Sequence, residues 1–344
     1  MSPTKPVRKK TTPKKKAVSK KSPAKKSPAK KSPTKKPEVL VTGAAGALAQ
    51  LVISILKLNY NVVALDARHM PQIGTDIASY KLDMNKREFE EIFRNHNITK
   101  VIHLGRISSH QSNREARYNA NVIGTQKLLD LCVKYGVKQV IILSTFHVYG
   151  ANAYNPALID EEAPLKAAEI TMDLVDSVEL ENLASIYLWK HPSINVTLLR
   201  ACNIVGPGIN NTMSKLLSGR YAPYLFGFSP MMQFIHVADM ASAIVQASKI
   251  GKSGIYNVAP DDWVSYSKAL ELCEVKPLPV PSSPLNVPKL YSKIIKWKIF
   301  PSHLVNYFKY SVIIDGKRFR EHFDFKTEYS MDAIFTYYRD MKKY

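Results

Sequence analysis

Two glycines near the start of the chain's apolar body have the spacing that binds a dinucleotide phosphate. Gly43 and Gly46 lie in T-G-A-A-G (42–46), between a short apolar run at 38–41 and a helical pattern that reaches about residue 58. The first glycine permits a tight turn, and the second lets the backbone approach a pyrophosphate that faces the helix N-terminus. A glycine turn between a strand and a helix therefore predicts a dinucleotide site.

Asp66 extends this pattern to the ribose of the cofactor. It ends the next predicted strand (61–65), 23 residues after Gly43. An acid at this place accepts hydrogen bonds from ribose hydroxyls and repels a 2′-phosphate, which favours NAD over NADP. Arg68 nearby weakens that preference. The alternative is a glycine turn and a surface aspartate that bind nothing, and the order of the three elements argues against it.

The elements that must position these residues alternate along the chain. Further strands are predicted at 100–104, 140–144 and 195–199, with a helix at 120–135. Such alternation is typical of a doubly wound parallel sheet. We therefore expect an α/β fold with a Rossmann-type domain at 38–205 and a smaller C-terminal substrate lobe at 206–344. Parts of 233–260 are expected to pack with the Rossmann domain.

The positive charge of the chain is concentrated at the N-terminus. The 344 residues carry a formal net charge of +21, and residues 1–37 contain 15 Lys+Arg and no acid. The remaining 307 residues carry 34 basic and 28 acidic side chains, a net of +6, and are long enough for a large core.

Within the N-terminal segment 1–37, residues 20–36 read K-K-S-P-A, K-K-S-P-A, K-K-S-P-T, K-K, a repeat with a period of five. Its prolines and like charges predict a disordered tail, and paired lysines on an extended chain can follow a phosphate backbone. The repeat resembles the tails of linker histones, which implies nucleic acid as the partner. A solubilising tail and a localisation signal are the alternatives.

Cysteine use and hydropathy limit the compartment. Three cysteines form no disulfide framework and no metal-ligand cluster, so we expect no bound metal and a reducing environment. No apolar run approaches the length of a transmembrane helix, and a secretory signal is lacking. We expect a cytoplasmic protein, associated with the nucleoid, or a nuclear one in a eukaryote.

A series of motifs resembles the extended short-chain dehydrogenase/reductases, the NAD-dependent epimerase/dehydratase family that includes UDP-galactose 4-epimerase. They run in the family's order over about 38–260 and comprise T-G-A-A-G (42–46), L-D (82–83), V-I-H-L (101–104), N-V-I-G-T (121–125), S-T-F-H-V-Y-G (144–150), L-R-A-C-N (199–203), G-P-G (206–208) and Q-F-I-H-V-A-D (233–239). The resemblance implies a bound NAD. Its contacts would be Gly43, Ala45, Gly46, Asp66, Asp83 and Leu104.

The same resemblance implies a catalytic centre, and there the sequence departs from the family. Thr145 takes the position of the residue that orients the substrate hydroxyl. In the family a Tyr-x-x-x-Lys pair does the acid–base work, but Asp173 and Ser177 stand at those positions. An aspartate is ordinarily ionised and donates no proton at neutral pH.

Other groups are therefore candidates for the acid–base role and for substrate binding. His147, Tyr154 and Asp173 are the candidate acid–base residues. Arg200 and Asn203 are retained from the family and are the candidate substrate contacts.

Two hypotheses follow. In the first, the chain is an enzyme that acts on a sugar nucleotide or a related alcohol by hydride transfer to bound NAD. In the second, it is a catalytically inactive NAD(H)-binding sensor or scaffold, tethered to nucleic acid by its tail. Family resemblance also implies a homodimer formed through the helices at 121–135 and 171–190.

Overall fold

The computed structural model describes residues 37–70, 74, 77–107, 113–281 and 302–342. The N-terminal tail, for which disorder and nucleic-acid contact were predicted, lies outside this range except for residue 37. Within the described ranges, no helix has the length and apolar character needed to cross a membrane.

A seven-stranded parallel sheet forms the centre of the fold, in the order β11-β6-β5-β4-β1-β2-β3. The predicted doubly wound sheet is therefore confirmed. The strands in the described residues are β1 Glu38–Thr42, β2 Asn61–Asp66, β3 Ala78–Lys81, β4 Ile98–His103, β5 Gln139–Thr145, β6 Asn195–Ala201, β7 Asn203–Val205, β8 Tyr221–Leu225, β9 Met231–Met232, β10 Phe234–His236, β11 Gly254–Val258, β12 Val264–Ser265 and β13 Lys276–Val280.

Helices cover both faces of the sheet, as a parallel sheet requires. In the described residues they are α1 Ala47–Leu56, α2 Phe89–Asn95, α3 Arg114–Tyr118, α4 Gly124–Lys134, α5 Ala167–Ile170, α6 Val175–Lys190, α7 Thr212–Ser218, α8 Val237–Ile250, α9 Tyr266–Leu272, α10 Lys317–Phe323 and α11 Met331–Asp340. Short 3₁₀ segments occupy Phe146–Tyr149, Met172–Leu174 and Ser302–Phe308, and a π turn occupies Asn119–Ile123.

Strand residues alternate between two apolar cores because successive side chains point to opposite faces of a sheet. In β1, Val39 and Val41 pack with α1 and α8, whereas Leu40 packs with α2, α4 and α6. All three side chains are fully buried. The continuous apolar sequence of this strand reflects burial on both faces.

One detail of the chain path differs from the sequence pattern, and one strand of the sheet comes from beyond residue 205. The helix predicted at 120–135 begins as the π turn Asn119–Ile123 and becomes α-helical only at Gly124. The seventh strand of the sheet, β11, comes from the C-terminal half of the chain and pairs with β6. Residues of the C-terminal half thus form the edge of this sheet beside β6, and the short parallel pair β10–β7 forms a separate two-stranded sheet.

Candidate active site

The glycine loop at the end of β1 is fixed by a close approach of two backbone segments. Gly43 has a φ of +73°, and a Cβ atom there would lie 2.5 Å from the backbone nitrogen of Gly105. Glycine is therefore required both by conformation and by space. The loop connects β1 to α1 and packs against the segment that follows β4. It therefore lies between the carboxyl ends of β1 and β4, where the strand order of the sheet reverses, the usual position of a ligand crevice in such folds.

The N-terminus of α1 presents free backbone donors to this crevice. Gly46 is its N-cap, with no side-chain cap and no acidic residue in the first turn. The amide nitrogen of Gly46 donates to the carbonyl oxygen of Gly43 at 2.9 Å, which closes the turn. A ten-residue helix with an uncapped, uncharged start is suited to bind a phosphate.

Asp66 lies at the carboxyl end of β2 beside the glycine loop. Its carboxylate accepts hydrogen bonds from the backbone nitrogens of Ala45 (3.0 Å) and Arg68 (2.8 Å) and from the Arg68 side chain. Burial opposes ionisation, but these hydrogen bonds outweigh it, so the pKa of Asp66 is lowered. Asp66 is an ionised acceptor, and the Arg68 guanidinium that covers it is largely exposed.

Asp83 and Leu104 follow β3 and β4 and differ in their exposure and hydrogen bonds. Asp83 is exposed, and its Oδ1 accepts from the backbone nitrogen of Asn85 at 2.9 Å. Leu104 is half-buried, and its backbone nitrogen donates to the carbonyl oxygen of Thr42 at 3.2 Å. The cofactor contacts predicted from the sequence therefore lie at the carboxyl ends of β1, β2 and β4 or in the loops that follow β1 and β3.

A cavity of about 280 Å³ opens at the carboxyl ends of β4, β5 and β6. Three of the predicted site residues, Thr145, His147 and Asn203, line it. The other described lining residues are Arg106, Ser144, Phe146, Leu174, Ala201, Cys202, Ile204, Asn211, Thr212, Met213, Met231, Met232, Leu304, Tyr307, Phe308 and Val312.

Thr145 and His147 form a hydrogen-bonded pair inside this cavity. Thr145 is the last residue of β5, and its Oγ1 lies 2.8 Å from Nδ1 of His147. The chain turns into a 3₁₀ segment at this point, and the Thr145 Oγ1 also accepts from the backbone nitrogen of His147 at 3.4 Å. The turn brings the two side chains together, a hydroxyl beside an imidazole that can exchange a proton.

Tyr307 supports the imidazole from a distant part of the sequence. Its ring meets that of His147 edge-on at 4.7 Å between centroids, and its hydroxyl donates to the His147 carbonyl oxygen. Burial raises the pKa of this phenol, so Tyr307 stays protonated and acts as a donor. Sequence reasoning assigned it no role, because no local pattern connects residues 160 positions apart.

Arg106 is a second cavity residue to which the sequence pattern assigned no role. It follows Gly105 in the loop after β4, lines the cavity, and donates a hydrogen bond to Oγ of Ser177 on α6. The sequence feature that could have identified Arg106 is a charged residue just after the predicted parallel strand at 100–104. In the structure this position lies beside the glycine loop. Side chains at that edge of the sheet face the ligand crevice.

Two of the candidate acid–base residues lie apart from the Thr145–His147 pair. The Asp173 carboxylate accepts from Nε of Arg114 at 2.9 Å and lies 3.6 Å from the Arg117 guanidinium. Tyr154 lies on a loop, and its side chain is exposed. Neither is among the described residues that line the cavity.

The two substrate candidates are placed differently. The Arg200 guanidinium is buried, at 3.0 Å from the fully buried Glu181 carboxylate, and also donates to the hydroxyl of Tyr149 at 2.8 Å. The other Glu181 oxygen accepts from the hydroxyl of Ser144, which joins this network to β5. Asn203 lines the cavity, and its Nδ2 donates to the Gln233 carbonyl oxygen at 2.9 Å.

Comparison with known proteins assigns this arrangement to a family. A model of the NAD dependent epimerase/dehydratase family matches residues 39–259, which is more than half of the chain. The chain belongs to this family. The match includes the glycine loop, Asp66, Thr145 and Asn203, and it ends just after β11.

Individual relatives are similar over most of the body. The chain is 28% identical over 253 residues to the Uncharacterized protein Rv0501 of Mycobacterium tuberculosis, covering 71% of this chain and 67% of that protein. It is 28% identical over 250 residues to the UDP-glucose 4-epimerase of Dictyostelium discoideum, covering 61% of this chain and 71% of the epimerase.

A solved structure has the same fold. The chain resembles MoeE5 in complex with UDP-glucuronic acid and NAD with a TM-score of 0.71, at 21% identity, over 89% of this chain and 99% of MoeE5.

Proposed function

We propose that this family member binds NAD and oxidises or epimerises the sugar of a nucleotide sugar, with Thr145 and His147 as its reacting pair. The observation that carries the proposal is the proximity of two sites. Gly43 of the phosphate loop approaches Gly105, and the next residue, Arg106, lines the cavity that contains Thr145 and His147.

The residues of the glycine loop, the start of α1 and Asp66, which together form the cofactor end of the site, are suited to bind NAD. Gly43 leaves no room for a side chain, α1 presents uncapped donors, and Asp66 offers an ionised acceptor for ribose hydroxyls. When bound, NAD would supply the acceptor for a hydride. The named NAD complex and the UDP-glucose 4-epimerase relative support this cofactor and a nucleotide-sugar substrate.

The reacting pair supplies a path for the substrate's hydroxyl proton. In the proposed mechanism, Thr145 Oγ1 binds the reacting hydroxyl and takes its proton while the Thr145 proton passes to Nδ1 of His147. The 2.8 Å contact between these atoms supports that transfer. Tyr307 holds the imidazole in place through its hydrogen bond to the His147 carbonyl oxygen.

A second candidate function is NAD-dependent binding without turnover. It is favoured by the positions at which the family has its Tyr and Lys. The Asp173 carboxylate accepts a hydrogen bond from Arg114, and the Ser177 hydroxyl accepts one from Arg106. Both side chains at these positions therefore bind other residues of the protein. Under this proposal the chain is a sensor or scaffold that responds to the redox state of NAD.

The two candidates are separated by following absorbance at 340 nm. The full chain, loaded with NAD, is mixed with UDP-glucose, UDP-galactose and UDP-glucuronate. An enzyme produces a transient or lasting rise, which the His147→Gln variant loses while it still binds NAD. A flat trace with NAD bound contradicts the enzymatic proposal. The sensor proposal then requires different affinities for NAD and NADH, and equal affinities would contradict it.

We also propose that the tail binds nucleic acid without sequence preference. This proposal rests on the 15 Lys+Arg of residues 1–37. Contacts between lysines and phosphates release counterions, which favours binding, and they do not distinguish one base from another. The full chain should bind duplex DNA with an affinity that falls steeply with salt. Replacing the tail lysines by glutamine should abolish this binding, and unchanged binding would place the contact elsewhere.

The proposed homodimer would use α6, which carries two exposed apolar side chains. Trp189 is 81% exposed and Ile186 is 55% exposed. Burial of these side chains against a second copy would remove an apolar patch from water. Sedimentation of the wild-type chain should show a dimer, and Trp189→Ser should shift it toward the monomer. A monomeric wild-type chain would contradict this proposal.

A further inference from the structure

Arg106 is placed to meet a ligand at the reacting end of the cavity. It is half-buried, and its guanidinium donates to Ser177 Oγ. Ser177 and Glu181 lie one turn apart on α6, and Glu181 accepts from Ser144, the neighbour of Thr145. This chain of contacts fixes Arg106 beside the end of β5, where the Thr145–His147 pair lies.

Counted over the described residues alone, the ionic cluster around Arg106 has one more arginine than carboxylates. Its members are four arginines (Arg106, Arg114, Arg117 and Arg200) and three carboxylates (Asp173, Asp176 and Glu181). Each of the other arginines lies within 4 Å of a carboxylate. Among the described residues, Arg106 forms no such ion pair, and its hydrogen bond goes to the neutral hydroxyl of Ser177.

The pKa of Arg106 reflects both its burial and the carboxylates near it. Burial lowers the pKa of Arg106, while the nearby Asp176 and Glu181 act in the opposite direction. An arginine stays protonated even so. A half-buried cation that lacks a close carboxylate gains from an incoming anion, because a charge-assisted hydrogen bond replaces incomplete solvation.

Apart from Arg106, the described residues of the cavity lining include no Lys, Arg, Asp or Glu. Many of them are apolar, including Met213, Met232 and Leu304. Within the described part of the lining, an anionic group that enters the cavity therefore meets Arg106 as its charged partner, at the reacting end.

We propose that Arg106 binds a carboxylate on the sugar, so that the chain acts on a nucleotide-linked uronic acid in preference to a neutral hexose. This inference rests on the nucleotide-sugar function proposed above. A guanidinium matches a carboxylate through two parallel hydrogen bonds. Ser177 acts as a positioning residue that holds the guanidinium at the cavity wall.

The test compares two ligands that differ at one carbon of the sugar. UDP-glucuronate carries a carboxylate at C6 where UDP-glucose carries a hydroxymethyl group. Calorimetric titration of the NAD-loaded full chain measures both affinities without any need for turnover. We expect a preference for UDP-glucuronate of roughly ten- to a hundredfold, the range of a hydrogen bond to a charged group.

Variants assign that preference to Arg106. Arg106→Gln should bring the two affinities together by weakening UDP-glucuronate alone, Arg106→Lys should restore part of the preference, and Ser177→Ala should reduce it. Arg94→Gln is the matched control, since Arg94 is an exposed arginine on α2 that pairs with Glu90. NAD affinity and melting temperature, measured for every variant, identify any that fail to fold.

Each outcome decides between defined alternatives. Equal affinities of the wild-type chain for the two ligands would overturn the proposal while the nucleotide-sugar function stands. An equal loss of both ligands in Arg106→Gln would also overturn it, because that result places the guanidinium on the shared diphosphate. Binding of neither ligand by the wild-type chain would overturn the proposed function itself and this inference with it.

Discussion

The two ends of the candidate site differ in whether backbone or side-chain groups form them. The cofactor end consists mainly of backbone: the turn at Gly43, the uncapped start of α1, and one carboxylate, Asp66, at the end of a strand. The reacting end consists of side chains from separate segments: Thr145 and His147 after β5, Arg106 after β4, and Tyr307 near the C-terminus.

This difference predicts that the two ends respond differently to mutation. Backbone geometry at the cofactor end depends on conformations that few residues can adopt, so substitutions there should affect stability and NAD binding together. Side chains at the reacting end can be shortened without moving the strands that carry them. Substitutions there should change chemistry while the fold and the bound cofactor remain.

The largest effect is expected from Thr145→Ala. Removing the hydroxyl takes away the group that contacts His147 and that we propose binds the substrate's reacting oxygen, so turnover should fall by about 10²–10⁴-fold. NAD affinity should stay within about threefold of wild type, and Thr145→Ser should recover part of the activity. Steady-state rates and fluorescence titration of NADH measure these quantities. A parallel loss of NADH binding would contradict the separation of the two ends.

Gly43→Ala tests the cofactor end against a matched glycine. Gly136 has nearly the same φ, +68°, but a Cβ there meets nothing within 4 Å, whereas one at Gly43 meets the Gly105 backbone. Gly136→Ala should therefore cost about 1 kcal/mol of unfolding free energy for its left-handed conformation. Gly43→Ala should cost roughly 2–3 kcal/mol more through the clash, and should abolish NAD binding. Equal costs in urea unfolding would show that the clash is relieved.

The same contrast explains how much the sequence could predict. The glycine loop, the start of α1 and Asp66 lie within 24 consecutive residues, so a local pattern is enough to predict them. The buried strands are predicted from continuous apolar runs in the sequence. Motif order also led to Thr145, His147 and Asn203, all of which line the cavity. Arg106 and Tyr307 were missed because their partners, Ser177 and His147, lie 71 and 160 positions away.

A pH-dependent loss of stability is expected from His103, which lies beneath the glycine loop. It is buried between Thr42 (2.6 Å) and Thr125 (2.9 Å), and burial lowers its pKa to about 4. Because the unfolded chain binds a proton near pH 6.5, the neutral histidine stabilises the fold above that pH. Stability is then lost as the pH falls toward 4, by about 2 kcal/mol between pH 7 and pH 5.

Urea unfolding at both pH values measures this loss. His103→Asn removes the titrating group, so the variant should be less sensitive to acid than the wild type by about the same 2 kcal/mol. His69→Asn serves as the control, because His69 is exposed. If the wild type and His103→Asn lose stability in parallel, the acid sensitivity has another origin.

The smallest effect is expected from Tyr307→Phe. This substitution tests whether a small change at the reacting end leaves the cofactor end unaffected. The change removes one buried hydroxyl and leaves the His147 carbonyl oxygen without its donor, at a cost of roughly 1–2 kcal/mol. The aromatic ring stays against the imidazole, so the position of His147 should be perturbed slightly and turnover should fall only a few-fold. NAD affinity should not change, because the contact lies wholly at the reacting end. Tyr310→Phe is the control, since Tyr310 contacts Phe228 through its aromatic ring, which the substitution keeps. Equal effects of the two substitutions on turnover would mean that the hydroxyl of Tyr307 does not position His147.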